Sequence, residues 1–185
     1  MIRFTRDRLI ALAGALVLFV ADQWSKHFVV ETLGLRRVGD HYDLTPFFDF
    51  TRTNNFGVSL GMFQANSMEM RWALVLVTGL ISVGVVVWIM RETQKWDIYA
   101  LAMILGGALG NIVDRYRFGY VVDFADFHIG EFRPFLIFNL ADAAITIGVV
   151  ILLARALFIG EKPATEQDET PNGPESPSGD TSRGD

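Results

Sequence analysis

A chain of 185 residues that is 51% hydrophobic, with a mean hydropathy of +0.31, is too apolar for an ordinary soluble domain and points to a membrane. The net charge of -5 lies in the last segment, where Glu161, Glu166, Asp168, Glu169, Glu175, Asp180 and Asp185 face only Lys162 and Arg183; the neutral body offers no basic patch for nucleic acid. The absence of cysteine excludes disulfides, thiolate metal sites and thiol nucleophiles, and His27, His41 and His128 are too scattered for a zinc motif, so neither metal nor cofactor is expected.

Arg3, Arg6 and Arg8 precede an apolar run from Leu9 to Val20. This start could belong to a cleavable signal peptide, but apolar residues resume at Trp24, Phe28, Val29 and Val30 without a small-x-small cleavage site, so residues 9–30 read as a retained first span. Within it Asp22 and Lys26 stand four apart on one helical face, either as a mutually neutralising pair with Lys26 reaching the headgroups or as part of a site. Residues 31–71 mix aromatic and β-branched residues with Gly, Asp and Asn, and Phe47 to Thr53 followed by Asn54-Asn55-Phe56-Gly57 reads as strands and turns of an extramembrane lobe. Phe56, Leu60, Met62 and Phe63 would either face bilayer or peptide, or seal the lobe onto the helices.

Trp72 to Met90 holds 19 residues without a charge, roughly 28 Å of helix and enough to cross the hydrocarbon. A third span covers about 98–114, with Gly106, Gly107 and Gly110 allowing close helix approach, and a fourth covers about 135–159 behind Pro134, placing Asp142 about 12 Å along it. The expected fold is an all-α membrane protein of four transmembrane helices with a small β-rich lobe between helices 1 and 2, forming one domain over 1–160. Residues 161–185 read as a disordered acidic tail. Basic residues divide evenly between the two faces, and the first helix tips the expected orientation toward cytoplasmic termini.

Carboxylates in or beside such runs need a reason, since an ionisable group at the centre of a bilayer helix costs roughly 2.5–3.5 kcal/mol or more. Asn111 and Asp114, and again Asn139 and Asp142, stand three apart, as residues sharing one helical face do. Asp114 has Arg115 beside it and could be a structural ion-pair partner, whereas Asp123 and Asp142 have no neighbouring cation in sequence. No Gly-x-Ser-x-Gly elbow exists, so paired carboxylates activating water are the chemistry these residues suit. A metal-dependent phosphoalcohol transferase would need its aspartates within one compact motif, a proton-coupled carrier would be expected to show internal repeats, and a purely structural protein would leave the polar positions unexplained.

Asp22-Gln23-x-x-Lys26, Asn55-Phe56-Gly57, Gly106-Gly107-Ala108-x-Gly110-Asn111-x-x-Asp114-Arg115, Gly119-x-Val121-x-Asp123-Phe124 and Phe138-Asn139-x-Ala141-Asp142 together resemble the lipoprotein signal peptidase (signal peptidase II) family in order and approximate spacing. The resemblance implies a bacterial inner-membrane aspartic peptidase that cuts prolipoproteins before a diacylglyceryl-modified cysteine and is blocked by globomycin-class antibiotics. It places the catalytic pair on Asp123 and Asp142, and supporting positions on Asp22, Lys26, Asn55, Gly57, Asn111, Asp114, Arg115 and Asn139. It also implies an active site near the outer leaflet, in contact with membrane lipid, with no metal or cofactor. One departure is Val58-Ser59-Leu60, where the family often has small residues and then an aromatic.

Overall fold

The computed structural model describes residues 5–57 and 68–158. Val58-Ser59-Leu60, Met62, Phe63, Arg3 and the tail 161–185 lie outside the described residues. Among the described residues four helices are long and apolar enough to cross a membrane: α1 (Arg6–His27), which runs on through a π-helical turn to Thr32, α2 (Met68–Arg91), α3 (Lys95–Phe118) and α4 (Leu140–Phe158).

Helix α3 is the central one. Half of its apolar window is buried inside the protein, against 17–22% for the other three, whose remaining surface is left for lipid. Lipid tails are as apolar as Leu, so packing inside a bilayer is won by close backbone approach. A Cβ on Gly106 would lie 2.6 Å from the Ala15 carbonyl of α1, and one on Gly107 would lie 2.4 Å from the Ala141 carbonyl of α4. Gly148 returns the contact from α4, where a Cβ would sit 2.6 Å from the Ala100 carbonyl of α3. The glycines therefore seat α3 against helices on two sides. Helix α2 buries chiefly Ser82, Val85 and Ile89; its Thr78 and Ser82 hydroxyls donate to the Leu74 and Thr78 carbonyls, leaving neither exposed to lipid without a partner.

The lobe is a three-stranded antiparallel sheet in the order β1 (His41–Thr45), β2 (Phe48–Asn55), β3 (Val121–Phe127). Two strands come from the expected lobe between α1 and α2, and the third from the connection after α3. Helix α3 stops at Gly119, whose φ of 86° suits glycine and whose N–H donates to the Arg115 carbonyl, and Arg71 donates to the carbonyls of Arg115 and Tyr116. The chain then turns directly into β3, so the sheet is tied to the central helix. Phe48, Phe50, Phe124 and Ala125 pack with Val29 and Leu35 as a small core that seals the sheet onto the end of α1.

The fourth helix corrects the sequence expectation. It begins at Leu140, not near 135, because Phe138 pairs with Ala125 and extends the sheet past β3. Asn139 then caps the helix: its Oδ1 accepts from the Asp142 N–H at 2.9 Å, while the Asp142 carboxylate accepts from the Asn139 N–H at 3.4 Å. This is a reciprocal capping box. Asn139 and Asp142 are three apart because a helix starts there, and Asp142 lies in the first turn at the lobe end of the bundle.

Candidate active site

The C-terminal ends of α1 and α3, the N-terminal end of α4 and strand β3 meet under the sheet, and their polar side chains form one connected network. At its base Lys26 lies between two carboxylates, with Nζ 2.8 Å from Asp22 and 2.9 Å from Asp114, and it also donates to Asn111 Oδ1 at 3.2 Å. Lys26 is 4% exposed, so the alternative in which it reaches outward to the headgroups does not hold. The ion-pair partner of Asp114 is Lys26 rather than the adjacent Arg115. Gln23 was not among the expected site residues, although it stands inside the Asp22-Gln23-x-x-Lys26 element; its amide donates to Asp114 at 2.9 Å and to Asp22 and the Gly110 carbonyl at 3.2 Å.

Each carboxylate at this base also holds a neighbouring element. Asp22 accepts from the Ala141 N–H at 3.0 Å, fixing the first turn of α4, and Asp114 accepts from the Val122 N–H at 3.1 Å, fixing β3. Gly110 makes room for this: a Cβ there would sit 2.3 Å from Asp22 Oδ2. The residues placed by these two contacts stand next to Asp142 and Asp123. Buried ions thus set the positions of the two carboxylates above them.

Those two carboxylates are each held by an asparagine. Asn139 donates to Asp123 at 2.5 Å, and Asn111 donates to Asp142 at 2.8 Å. The asparagines are joined to each other, Asn139 Nδ2 to Asn111 Oδ1 at 3.3 Å. Asn139 also donates to the Val122 carbonyl at 3.3 Å and is fully buried, so its amide orientation is set by four partners across α3, β3 and α4. Asp123 is 1% exposed, whereas Asp142 is partly open.

The lobe supplies the opposite wall. In the β2–β3 register Asn55 stands opposite Val121 and Thr53 opposite Asp123, which makes Asn55 a diagonal neighbour of Asp123, and its side chain hydrogen-bonds that carboxylate. Asn55 Oδ1 also accepts from the Gly57 N–H at 2.8 Å, closing a local turn. Gly57 has a φ of 84°, and a Cβ there would lie 2.8 Å from Leu74 and 3.3 Å from an Arg115 terminal nitrogen. Arg115 lies within electrostatic reach of Asp142, Asp123 and Asp114, yet it forms no ion pair with any of them among the described residues, and its buried Nε has no acceptor. All ten expected site residues therefore fall in one network or on its rim, with Gln23 and the backbone N–H groups of Val122 and Ala141 added to it.

Burial, and next the charge of Asp142, raise the Asp123 carboxyl from its ordinary value of 3.8 to about 6, against the opposing hydrogen bonds of Asn55 and Asn139. Between about 4 and about 6 the folded protein keeps a proton that the unfolded chain has released, so stability is expected to fall as pH rises through that window. Thermal unfolding in detergent from pH 4 to 7 checks this: the wild type loses melting temperature across the window, and Asp123→Asn, which removes the titrating group, loses less. Equal slopes in the two proteins would mean that Asp123 does not hold the proton.

Four spans and a sheet-capped pair of carboxylates define a multi-pass membrane protein with a buried polar cluster at one end of its helices. A family model described as signal peptidase (SPase) II matches residues 14–158. The lipoprotein signal peptidase of Sphingopyxis alaskensis is 56% identical over 161 residues, covering 87% of this chain and 92% of that protein. That of Rhizorhabdus wittichii is 49% identical over 154 residues, covering 83% and 89%. A solved bacterial membrane enzyme matches with a TM-score of 0.70 at 29% identity, covering 80% of this chain and 93% of that one. The chain belongs to the signal peptidase II family, and is therefore a membrane peptidase.

Proposed function

We propose that this protein is an aspartic endopeptidase that removes the signal peptide from prolipoproteins, cutting before a diacylglyceryl-modified cysteine, with Asp123 and Asp142 as the catalytic pair. The observation that carries this reading is the pair itself: two carboxylates on separate elements, each held by an asparagine, the buried one with its proton retained to about pH 6. Burial pushes the Asp123 carboxyl up, which suits it to act as the acid of the pair. Asp123 holds the shared proton and donates it to the scissile carbonyl oxygen. Asp142, the more open of the two, takes a proton from the attacking water. The tetrahedral intermediate then collapses as Asp142 returns that proton to the leaving amine, and Asp123 regains its own. Arg115 has a donor to spare beside the pair and serves to hold substrate carbonyls.

The signal peptide helix lies among the spans and the diacylglyceryl chains remain in lipid, so the scissile bond reaches the pair at the membrane surface. With both termini cytoplasmic, the lobe and the pair face the outer leaflet of the inner membrane. Inhibitors of the globomycin class occupy the same site. The test is cleavage of two substrates by purified protein in detergent with a chelator present: a prolipoprotein carrying diacylglyceryl-cysteine and the same chain without the lipid. The expected result is a single cut directly before the lipidated cysteine, with the unmodified chain processed at least about tenfold more slowly, as loss of remote binding energy requires. Cleavage elsewhere, equal processing of both, or abolition by the chelator would overturn it.

A further inference from the structure

A cavity of about 590 Å³ lies on the far side of the Lys26–Asp114 base from the carboxylate pair, between the end of α1, strand β2 and the end of α3. Its volume falls within the ~300–1,000 Å³ of small-ligand sites. Gln23, Lys26, Asp114 and Val122 form the wall it shares with the site; Asp123, Asp142, Asn139, Asn55 and Arg115 do not line it.

The charges on its lining do not cancel. Lys26 is engaged by Asp22 and Asp114, and Arg36 is engaged by Glu31 at 2.8 Å, which accounts for both carboxylates on the wall. Arg52 and Arg117 remain, and neither has a carboxylate within ion-pair distance among the described residues. The placement of Arg52 is built into the fold. From Phe50 to Thr53 strand β2 advances three residues while β3 advances two, from Ala125 to Asp123; this bulge includes Thr51 and Arg52. Bulges re-aim side chains. Here the result is an arginine that is 4% exposed, lies over the Tyr120 ring at 5.6 Å, donates one bond to the Thr53 carbonyl and leaves its Nε–H with no acceptor. A buried guanidinium with a free donor and no counter-charge calls for an anion. Arginine's planar fork suits a phosphate.

The level of the cavity identifies the source of that phosphate. It lies at the lobe ends of the spans α1 and α3, and its charged wall is continuous with Val30, Phe118 and Val122. A headgroup with the start of its acyl chains matches that sequence of polar and apolar surface. We propose that this cavity binds the phosphate of an anionic phospholipid, with Arg52 and Arg117 as its ligands, and so anchors the lobe to the bilayer behind the catalytic pair.

The test places purified protein in nanodiscs of phosphatidylcholine alone or with phosphatidylglycerol, and counts lipid retained after transfer to detergent by native mass spectrometry. Wild type is expected to keep one phosphatidylglycerol in preference to phosphatidylcholine. Arg117→Gln changes an exposed side chain and is expected to melt like wild type in phosphatidylcholine discs while retaining about tenfold less phosphatidylglycerol, the effect of one lost charge-assisted bond. Arg52→Gln is expected to lose at least as much. Equal retention of the two lipids by wild type, or undiminished phosphatidylglycerol in Arg117→Gln, overturns the proposal. A rise in wild-type melting temperature with inorganic phosphate in phosphatidylcholine discs, without selective lipid retention, overturns the lipid assignment in favour of a soluble phosphate.

Discussion

Asp123→Asn and Asp142→Asn proteins are expected to insert and fold normally and to cleave prolipoprotein at least about 10³-fold more slowly than wild type, within the range that positioned acids and bases contribute. Folding survives because asparagine keeps the shape and an acceptor oxygen: position 123 can still accept from Asn139, and position 142 from Asn111. The substitution at 123 also removes a carboxyl that burial already drives toward neutrality. What is lost is the exchange of a proton between the two positions. Because the pair acts as a unit, the double variant is expected to lose little more than either single one. Initial rates on a lipidated substrate, with melting temperatures measured alongside, check the result. Retention of more than about a tenth of wild-type activity by either single variant, in a folded protein, would remove that residue from the chemistry.

Much of this site was legible in the sequence because its residues violate the rule that bilayer helices are apolar. Asp22, Lys26, Asn111 and Asp114 stand out in spans that otherwise carry hardly any charge, and helical spacing alone suffices to place Asp22 with Lys26 and Asn111 with Asp114 on common faces. The partner across the helix interface was not legible: that Lys26 binds Asp114, and that Arg115 does not, depends on how α1 packs on α3. The fourth helix shows a second kind of limit. Phe135 to Phe138 are apolar like the helix that follows, and only pairing of Phe138 with Ala125, a contact between segments that no periodicity connects, moves the helix start to Leu140. The Asn-x-x-Asp spacing was visible there, but it signals a cap as well as a shared face. Strand β3 was hidden for the same reason, since it belongs to a sheet whose other strands lie on the far side of two helices in sequence.

Lys26→Met is expected to destabilise the protein by about 3–5 kcal/mol, the effect of leaving buried charge without its partner, and to reduce cleavage beyond what the loss of folded protein explains. Asp22 and Asp114 are buried and share this one ammonium, so its removal leaves two carboxylates close together with only amide and backbone donors. Their repulsion acts on the contacts that place Ala141 and Val122, and through them on Asp142 and Asp123. Restoring neutrality separates the charge from the position. A triple variant, Lys26→Met with Asp22→Asn and Asp114→Asn, keeps side-chain acceptors for both backbone N–H groups and is expected to recover most of the stability, as buried ion clusters replaced together often do. Its activity should recover in proportion if geometry is all that the cluster supplies. If stability returns and activity does not, the Lys26 charge itself acts on the pair above it, whereas a Lys26→Met protein that melts and cleaves like wild type would show that the buried cluster positions nothing. Chemical unfolding in detergent and initial cleavage rates on the same three preparations decide among these outcomes.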